Sequence, residues 1–313
     1  MPTRSILLFL ALGVFWGIPY ALIKISVGEI EPVMLCFART AIAALVLVPI
    51  ALVRRDRIDL RRHWKPLLAY TVVEVVAPWF FLNTAETRLP SSTAGLMLAS
   101  IPLVSLGIGA LFGRREHLTL LNWVGIAVST AGVVSIVGVN VAGSDPASVG
   151  AIGVVVVGYA TGPLILNRWM PGAPGVAVAA ASMAIAAVIY APITFATGAW
   201  PERWPSTQVI LSVLTLAVVC SAAAFVLLVH LITVMGPMRV TTVTYLNPVV
   251  AVLTGIVLLH EELTMGAVVG FALVTSGAIL IGRRSAKAAQ PMPVETAGRT
   301  GVGWRRPPDA VED

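Results

Sequence analysis

The sequence predicts an all-α integral membrane protein: ten transmembrane helices forming two five-helix repeats of inverted topology. Composition is the first sign. Of 313 residues, 58% are hydrophobic and 12% charged, against roughly 25% charged in a typical soluble domain. Disordered, coiled-coil, collagen-like and disulfide-scaffold chains are excluded on these grounds. The second sign is the length of the apolar runs. Crossing about 30 Å of hydrocarbon takes about 20 helical residues. Ten segments qualify: 5–23, 33–53, 67–85, 91–112, 121–138, 150–166, 176–198, 208–234, 240–259 and 265–282. Of 21 Lys or Arg and 15 Asp or Glu, only Arg39 and Glu74 fall inside them, the depletion expected where intramembrane charge is costly. No ten-residue polar/apolar alternation recurs, which disfavours a β-barrel. The third sign is duplication. Residues 41–50 (AIAALVLVPI) match 184–193 (AIAAVIYAPI) at six of ten positions, and 116–136 match 261–281 at nine of 21.

Span 1 follows a single Arg4 and shows no small-residue cleavage site, so it reads as a retained helix and not a removable signal peptide. Trp16, Tyr20 and Lys24 share one helical face, and Pro19 frees the Phe15 carbonyl from its helical bond. Two readings stay open: a substrate wall, or aromatics packed between helices. Span 2 opens at Pro32 and carries Arg39 about 9 Å from its outer end. Snorkelling makes a structural anchor the favoured role, with Glu31 or Glu86 as partner. The basic stretch 54–65 reads as an inner loop against anionic headgroups, with Trp64 at the interface. Span 3 carries Glu74, roughly 10 Å deep. Its short side chain does not reach water easily, so it is either protonated or faces a wet cavity. Span 4 contains Pro102, which frees the Leu98 carbonyl, and Glu116-x-Leu118-Thr119 leads into span 5.

The second half repeats this order. Span 6 places Tyr159 opposite Trp16 at an offset of 143 residues. Span 7 repeats span 2. Span 8 holds Cys220 and His230; with Cys36 in span 2, the thiols read as free and inert, and the histidine as packed or interfacial. In span 9, helical spacing puts Thr241, Tyr245 and Pro248 on one face beside Asn247, and Pro248 frees the Thr244 carbonyl. Such carbonyls need a neighbouring helix, a wet cavity or a substrate. His260-Glu261-Glu262-Leu263-Thr264 precedes span 10. It mimics a zinc-protease motif, but Thr264 stands where the second ligand belongs, so no metal site is expected. Gly pairs 13/17, 109/113, 158/162 and 266/270 have the spacing that lets helices approach closely. Residues 284–313 read as a disordered cytoplasmic tail.

Charge sets the orientation. With the N-terminus inside, the inner segments hold 17 Lys or Arg and the outer segments three. Both termini are therefore expected in the cytoplasm, and the pI of 9.8 is explained without nucleic acid. Five spans per repeat is odd, so successive repeats must insert with opposite orientation, an arrangement typical of secondary transporters.

These residues resemble the EamA-type transporters of the drug/metabolite transporter superfamily. The resemblance covers about residues 5–283. It rests on Trp16-Gly17, on Pro32 to Arg39, on Pro102 with Glu116-x-Leu118-Thr119, and on Tyr245-Leu246-Asn247-Pro248 with Glu261-x-Leu263-Thr264, Gly270 and Gly277. It implies a ten-helix carrier that moves small metabolites or drugs, often outward, through a cavity between repeats spanning 1–139 and 150–283. Spans 1, 3, 4, 6, 8 and 9 would then line that cavity. The expected substrate contacts are Trp16, Tyr20, Glu74, Tyr159, Tyr245 and Asn247; Arg39, Pro102, Glu116, Pro248 and Glu261 have structural or gating roles. No cofactor is called for. No phosphate-binding loop exists, since Lys24, Lys65 and Lys287 follow Ile, Trp and Ala, and no nucleophile–base constellation suggests an intramembrane enzyme. A sensor or scaffold is the other rival, but no loop exceeds about 13 residues. Proton coupling and a homodimer stay open.

Overall fold

The computed structural model describes residues 3–56, 58–111, 120–140, 145–236, 240–262 and 264–288. Glu116 and the 284–313 tail beyond Ala288 lie outside them. The described residues are helical and include no strand. Eight helical rods are long and apolar enough to cross a membrane, and 120–132 and 268–277 are shorter apolar helices.

Helix α1 (Thr3–Gly17) passes into α2 (Pro19–Ser26) at Pro19, which lacks the donor a continuous helix needs. Proline also opens α3 (Pro32–Val53) after extended Glu31. Asp59 caps α4 (Leu60–Thr71) by accepting from the Arg61 and Arg62 amides at 3.1 and 3.3 Å. The stretch 54–65 is therefore not all loop: His63, Trp64 and Lys65 are already helical. A π-turn, Val72–Val76, joins α4 to α5 (Ala77–Glu86). This rod extends to Glu86, so the span contains a second acid, fully buried. Helix α6 (Ser91–Met97), a 3₁₀ turn (Leu98–Ser100) and α7 (Ile101–Leu111) follow, then α8 (Leu120–Asn140).

In the second half, Asp145 and Pro146 start α9 (Pro146–Trp169) four residues before the expected edge of span 6. Helix α10 (Gly175–Thr197) stops at Gly198, whose φ of 65° suits glycine. Helix α11 (Thr207–Ala217) is capped by Ser206 and joined through a second π-turn, Val218–Ala223, to α12 (Ala224–Met235). A 3₁₀ turn, Thr241–Tyr245, precedes α13 (Asn247–Leu259), and α14 (Met265–Ala288) is last. The expected shared face of Thr241, Tyr245 and Pro248 is thereby corrected. It assumed α-helical rotation, whereas a 3₁₀ turn takes about three residues.

Helices pair across the two halves: α3 with α10, α5 with α9, α6 with α13, α8 with α14, α1 with α12 and α13, and α2 with α11. Small residues permit this closeness. Ala43 and Leu47 pack among Ala179, Met183 and Ala186 in one buried cluster. Between α8 and α14, a Cβ on Gly132 would lie 2.6 Å from the Gly270 carbonyl and the Val274 nitrogen. Ser129 and Ser135 hydroxyls donate to the Val274 and Gly266 carbonyls at 3.2 Å. Because that contact is backbone on backbone, it cannot relax by a rotamer change. Gly132→Val is expected to cost about 1–3 kcal/mol as overpacking, seen as a lower unfolding temperature in detergent with α3–α10 contacts unaffected. The outward surface is apolar: Leu45, Val188 and Phe195 are 76%, 73% and 65% exposed, as suits a lipid solvent.

Candidate functional site

The helix breaks converge on a cavity of about 510 Å³ between the two halves, within the roughly 300–1,000 Å³ of small-molecule sites. Its walls are mostly apolar. Trp16, Tyr20, Glu74, Tyr159 and Asn247 line it, as do Arg39, Pro102 and Pro248. Tyr245 ends the 3₁₀ turn Thr241–Tyr245, and its side chain lies outside those described. Glu261 is elsewhere. Arg39 and Glu74 are the charged residues of the lining.

The two π-turns present the polar groups. In the first, Glu74 projects beside Gly162 of α9, where any Cβ would overlap its carboxylate. Its Oε2 is buried without a hydrogen-bond partner. The Val76 carbonyl at the end of this turn accepts from the Tyr190 hydroxyl of α10 at 2.5 Å. In the second π-turn, the Ser221 hydroxyl donates to the Leu216 carbonyl at 2.9 Å and accepts from Arg39 Nε at 3.0 Å. Arg39 is 6% exposed, and its guanidinium lies over the Trp79 ring at 3.7 Å from the centroid. The expected partners Glu31 and Glu86 do not pair with it. Snorkelling toward the surface is replaced by stacking inward, because Trp79 and Ser221 supply a cradle that span 2 alone does not reveal. Tyr159 is within electrostatic reach of both Arg39 and Glu74.

Trp79 and Ser221 escaped sequence reasoning. Both sit within or just after a π-turn, and a 3.6-residue period misplaces any side chain there. A signal did exist: Glu74 and Cys220 lie 146 residues apart, as Pro102 and Pro248 do, so both repeats place a cavity residue at the same point.

Away from the 54–65 end, polar contacts tie the helices of the bundle together. Lys24 Nζ donates to the Glu86 and Leu89 carbonyls at 2.7 and 2.9 Å, tying α2 to the end of α5. The Glu261 carboxylate accepts from the Ser91 and Ser92 amides at 2.7 and 2.9 Å, capping α6 from the second half. Arg88 pairs with Asp145, and the Ser206 amide donates to Glu29 at 2.7 Å. From the side of these contacts the cavity lining runs past Pro19 and Tyr20 toward Tyr70, Leu166, Ile232 and Val240.

Two of these surface acids give a pH expectation. Hydrogen bonding to Ser206 holds Glu29 below its usual 4.5, and the Ala147 amide, with Arg88, holds Asp145 below 3.8. A depressed folded pKa adds stability above the unfolded value, which is lost as pH falls through the folded one. Thermal stability in detergent should therefore drop on acidification below about pH 4.5. The double variant Glu29→Gln/Asp145→Asn should show a shallower drop.

A polytopic helical bundle enclosing an apolar cavity, with both charge signs set into its wall, is a membrane transporter in class. The model of the EamA-like transporter family matches residues 3–138 and 148–283, and the chain belongs to that family. It is 30% identical over 259 residues to the uncharacterized inner membrane transporter YedA of Escherichia coli K12, covering 81% of this chain and 82% of that one. It is 22% identical to the uncharacterized transporter YvbV of Bacillus subtilis 168, covering 90% and 93%. It is 27% identical to a probable terminal-alkyne amino-acid exporter of Streptantibioticus cattleyicolor, covering 87% and 91%. A crystal structure superimposes with a TM-score of 0.65 at 21% identity, covering 93% of this chain and 100% of that one. At that identity the likeness concerns the fold.

Proposed function

We propose that the protein is a secondary active exporter of a small organic molecule. In this reading it works by alternating access of ten helices, built as two inverted five-helix halves, in the cytoplasmic membrane. The observation that carries the reading is the central cavity, walled by both halves, with inter-helix hydrogen bonds tying the bundle together beyond one end of it. The halves also share irregularities. The π-turns beginning at Val72 and Val218 are 146 residues apart, and each of Pro102 and Pro248 follows a 3₁₀ turn. Exchanging the halves leaves the pairs α3/α10 and α8/α14 unchanged and turns α5/α9 into α12/α1, which supports a two-fold relation.

With both termini cytoplasmic, the Tyr70–Val240 end of the cavity faces inward and the Lys24 and Glu261 contacts face outward. The basic inner segments then meet anionic headgroups. Trp16, Tyr20, Tyr159 and Asn247, with Tyr245, contact the substrate; Glu74 carries the exchangeable proton. Pro102 and Pro248 act as gating breaks and Glu261 holds the start of α6; Glu116, at the matching sequence position, takes a structural or gating role in this reading. Export as the direction rests on the exporter among the relatives.

Cysteine labelling and a metabolite screen test this together. A cysteine placed at residue 58 should be protected in intact cells and one at 145 accessible; the opposite pattern sinks the inverted arrangement. Cells overproducing the protein should enrich at least one metabolite outside. An unchanged medium, together with unchanged uptake, would remove the transport reading.

A further inference from the structure

We propose that Glu86 is a proton-binding site, separate from the cavity, whose occupancy decides whether the two halves hold together at the Lys24–Glu261 end. This rests on the transporter reading only in taking that end to be mobile. Glu86 ends the rod that carries Glu74, yet it does not line the cavity. It is 0% exposed, and neither carboxylate oxygen has a hydrogen-bond partner. A carboxylate so placed needs a counter-ion, hydrogen-bond donors or a proton. Its neighbours supply neither of the first two. Lys24 of α2 donates to the backbone carbonyls of Glu86 and Leu89 at 2.7 and 2.9 Å and pairs with no acid. The ion pairs among the described residues are Arg54–Asp56 and Arg88–Asp145. Arg39 of α3 is within electrostatic reach of Glu86, but its guanidinium is stacked on Trp79 and bonded to Ser221. Tyr20 of α2 is also within reach, without bonding to it. Helix α6 carries no titratable side chain. In α9, Tyr159 is within reach of Arg39 and Glu74, and Arg168 stands at the far end of the helix.

The remaining neighbour has the wrong sign. Glu261, from the second half, lies close enough to act on Glu86 electrostatically. It is itself well satisfied as an anion by the Ser91 and Ser92 amides. With both acids ionised, Lys24, Glu86 and Glu261 carry one net negative charge; with a proton on Glu86 they carry none. The neutral form is the one that burial favours. Glu86 belongs to the first half and Glu261 to the second, so the repulsion between them acts across the contact that joins the halves. A proton on Glu86 removes that repulsion. Loss of the proton to water restores it, drives Glu261 off the two amides, and offers Lys24 a carboxylate in place of carbonyls. A second buried group at the same junction is also unsatisfied. Ser91 Oγ, 0% exposed, has no partner, and both it and Glu261 Oε2 lie against Gly255 of α13. The polar network joining the halves here is therefore incomplete, as suits a contact that is made and broken.

Infrared difference spectroscopy and paired spin labels, on the full chain in nanodiscs, test the site without any substrate. Acidification should produce the C=O band of a protonated carboxylic acid. Part of that band should vanish in Glu86→Gln and persist in Glu74→Gln. Labels on Thr87→Cys and Glu262→Cys, at exposed positions in opposite halves, report the separation at this end, in a Cys36→Ala/Cys220→Ala background. Between about pH 8 and about pH 5 the ratio of short to long distances should rise by roughly tenfold or more. Glu86→Gln, neutral and of the same shape, should hold the short distance at every pH. Glu86→Asp, which keeps the proton site, should respond as the parent does. A distance that ignores pH in the parent protein overturns the proposal, whether or not Glu86→Gln folds. So does a Glu86→Gln protein that keeps the whole band, or one that keeps the pH response. If the spectra and distances behave as expected in a protein that carries no solute, the site stands and the transporter reading fails. If solute is carried while Glu86→Gln keeps the parental band, the transporter reading stands and the site fails.

Discussion

A Glu74→Gln protein is expected to carry substrate down its own gradient but to stop responding to an imposed pH gradient. An ionised carboxylate at membrane depth costs on the order of 3 kcal/mol more than a neutral acid, and Glu74 Oε2 has no partner here to offset that cost. Loss of its proton is thus favourable only when another cation or water takes the proton's place. If a substrate amino group does so on one side of the membrane and a proton on the other, the two exchange across it. Glutamine is isosteric and cannot exchange. In proteoliposomes, wild-type flux should rise several-fold with an opposing proton gradient, and the variant's should not. A variant that responds as wild type does would make Glu74 a packing residue, held by the space that Gly162 leaves.

The second large effect is expected at the helix breaks. Pro102→Ala/Pro248→Ala should slow transport by roughly tenfold while leaving abundance and membrane insertion near normal. Each proline removes a backbone donor and sits just after a 3₁₀ turn. Restoring the donors favours continuous α-helix, which would rotate Thr244 and Asn247 relative to the cavity. Helix alone is readily accommodated in lipid, so stability should not suffer. Transport kinetics set against abundance on a membrane blot separate the two outcomes; normal kinetics would make the prolines tolerated kinks.

Much of the fold was legible because hydrocarbon imposes a simple rule. Apolar runs of about 20 residues must be helical, and the runs from Pro32 and Gly175 ended within one or two residues of expectation. Errors fell where capping, and not hydropathy, sets the boundary: Asp59 starts a helix inside a basic stretch, and Asp145-Pro146 starts another early. The aromatic and acidic cavity residues were found because they are unusual in an apolar span. Trp79 and Ser221 were not, since their position depends on π-turns that no short-range pattern announces. Arg39 was found but assigned the wrong surroundings, because depth along one helix says nothing of what the next helix brings to it.

The glycine pairs carry a further consequence. Gly13 and Gly17 stand 145 residues from Gly158 and Gly162, at corresponding places in the duplicated sequence. They do not meet corresponding neighbours. The first pair receives Leu246 and Val250, whereas the second receives Pro78 and Glu74. Matching glycine pairs in unlike settings mean that the two halves are not packed symmetrically. On the alternating-access proposal, a second conformer trades these settings and lies close by in energy. The molecule then resembles a balance with two nearly level pans, and a bulkier residue at either glycine pair would tip it without unfolding anything. Gly17→Ala and Gly162→Ala should therefore push the population in opposite directions, one toward each face of the membrane, as measured by the accessibility of a single cysteine in the cavity.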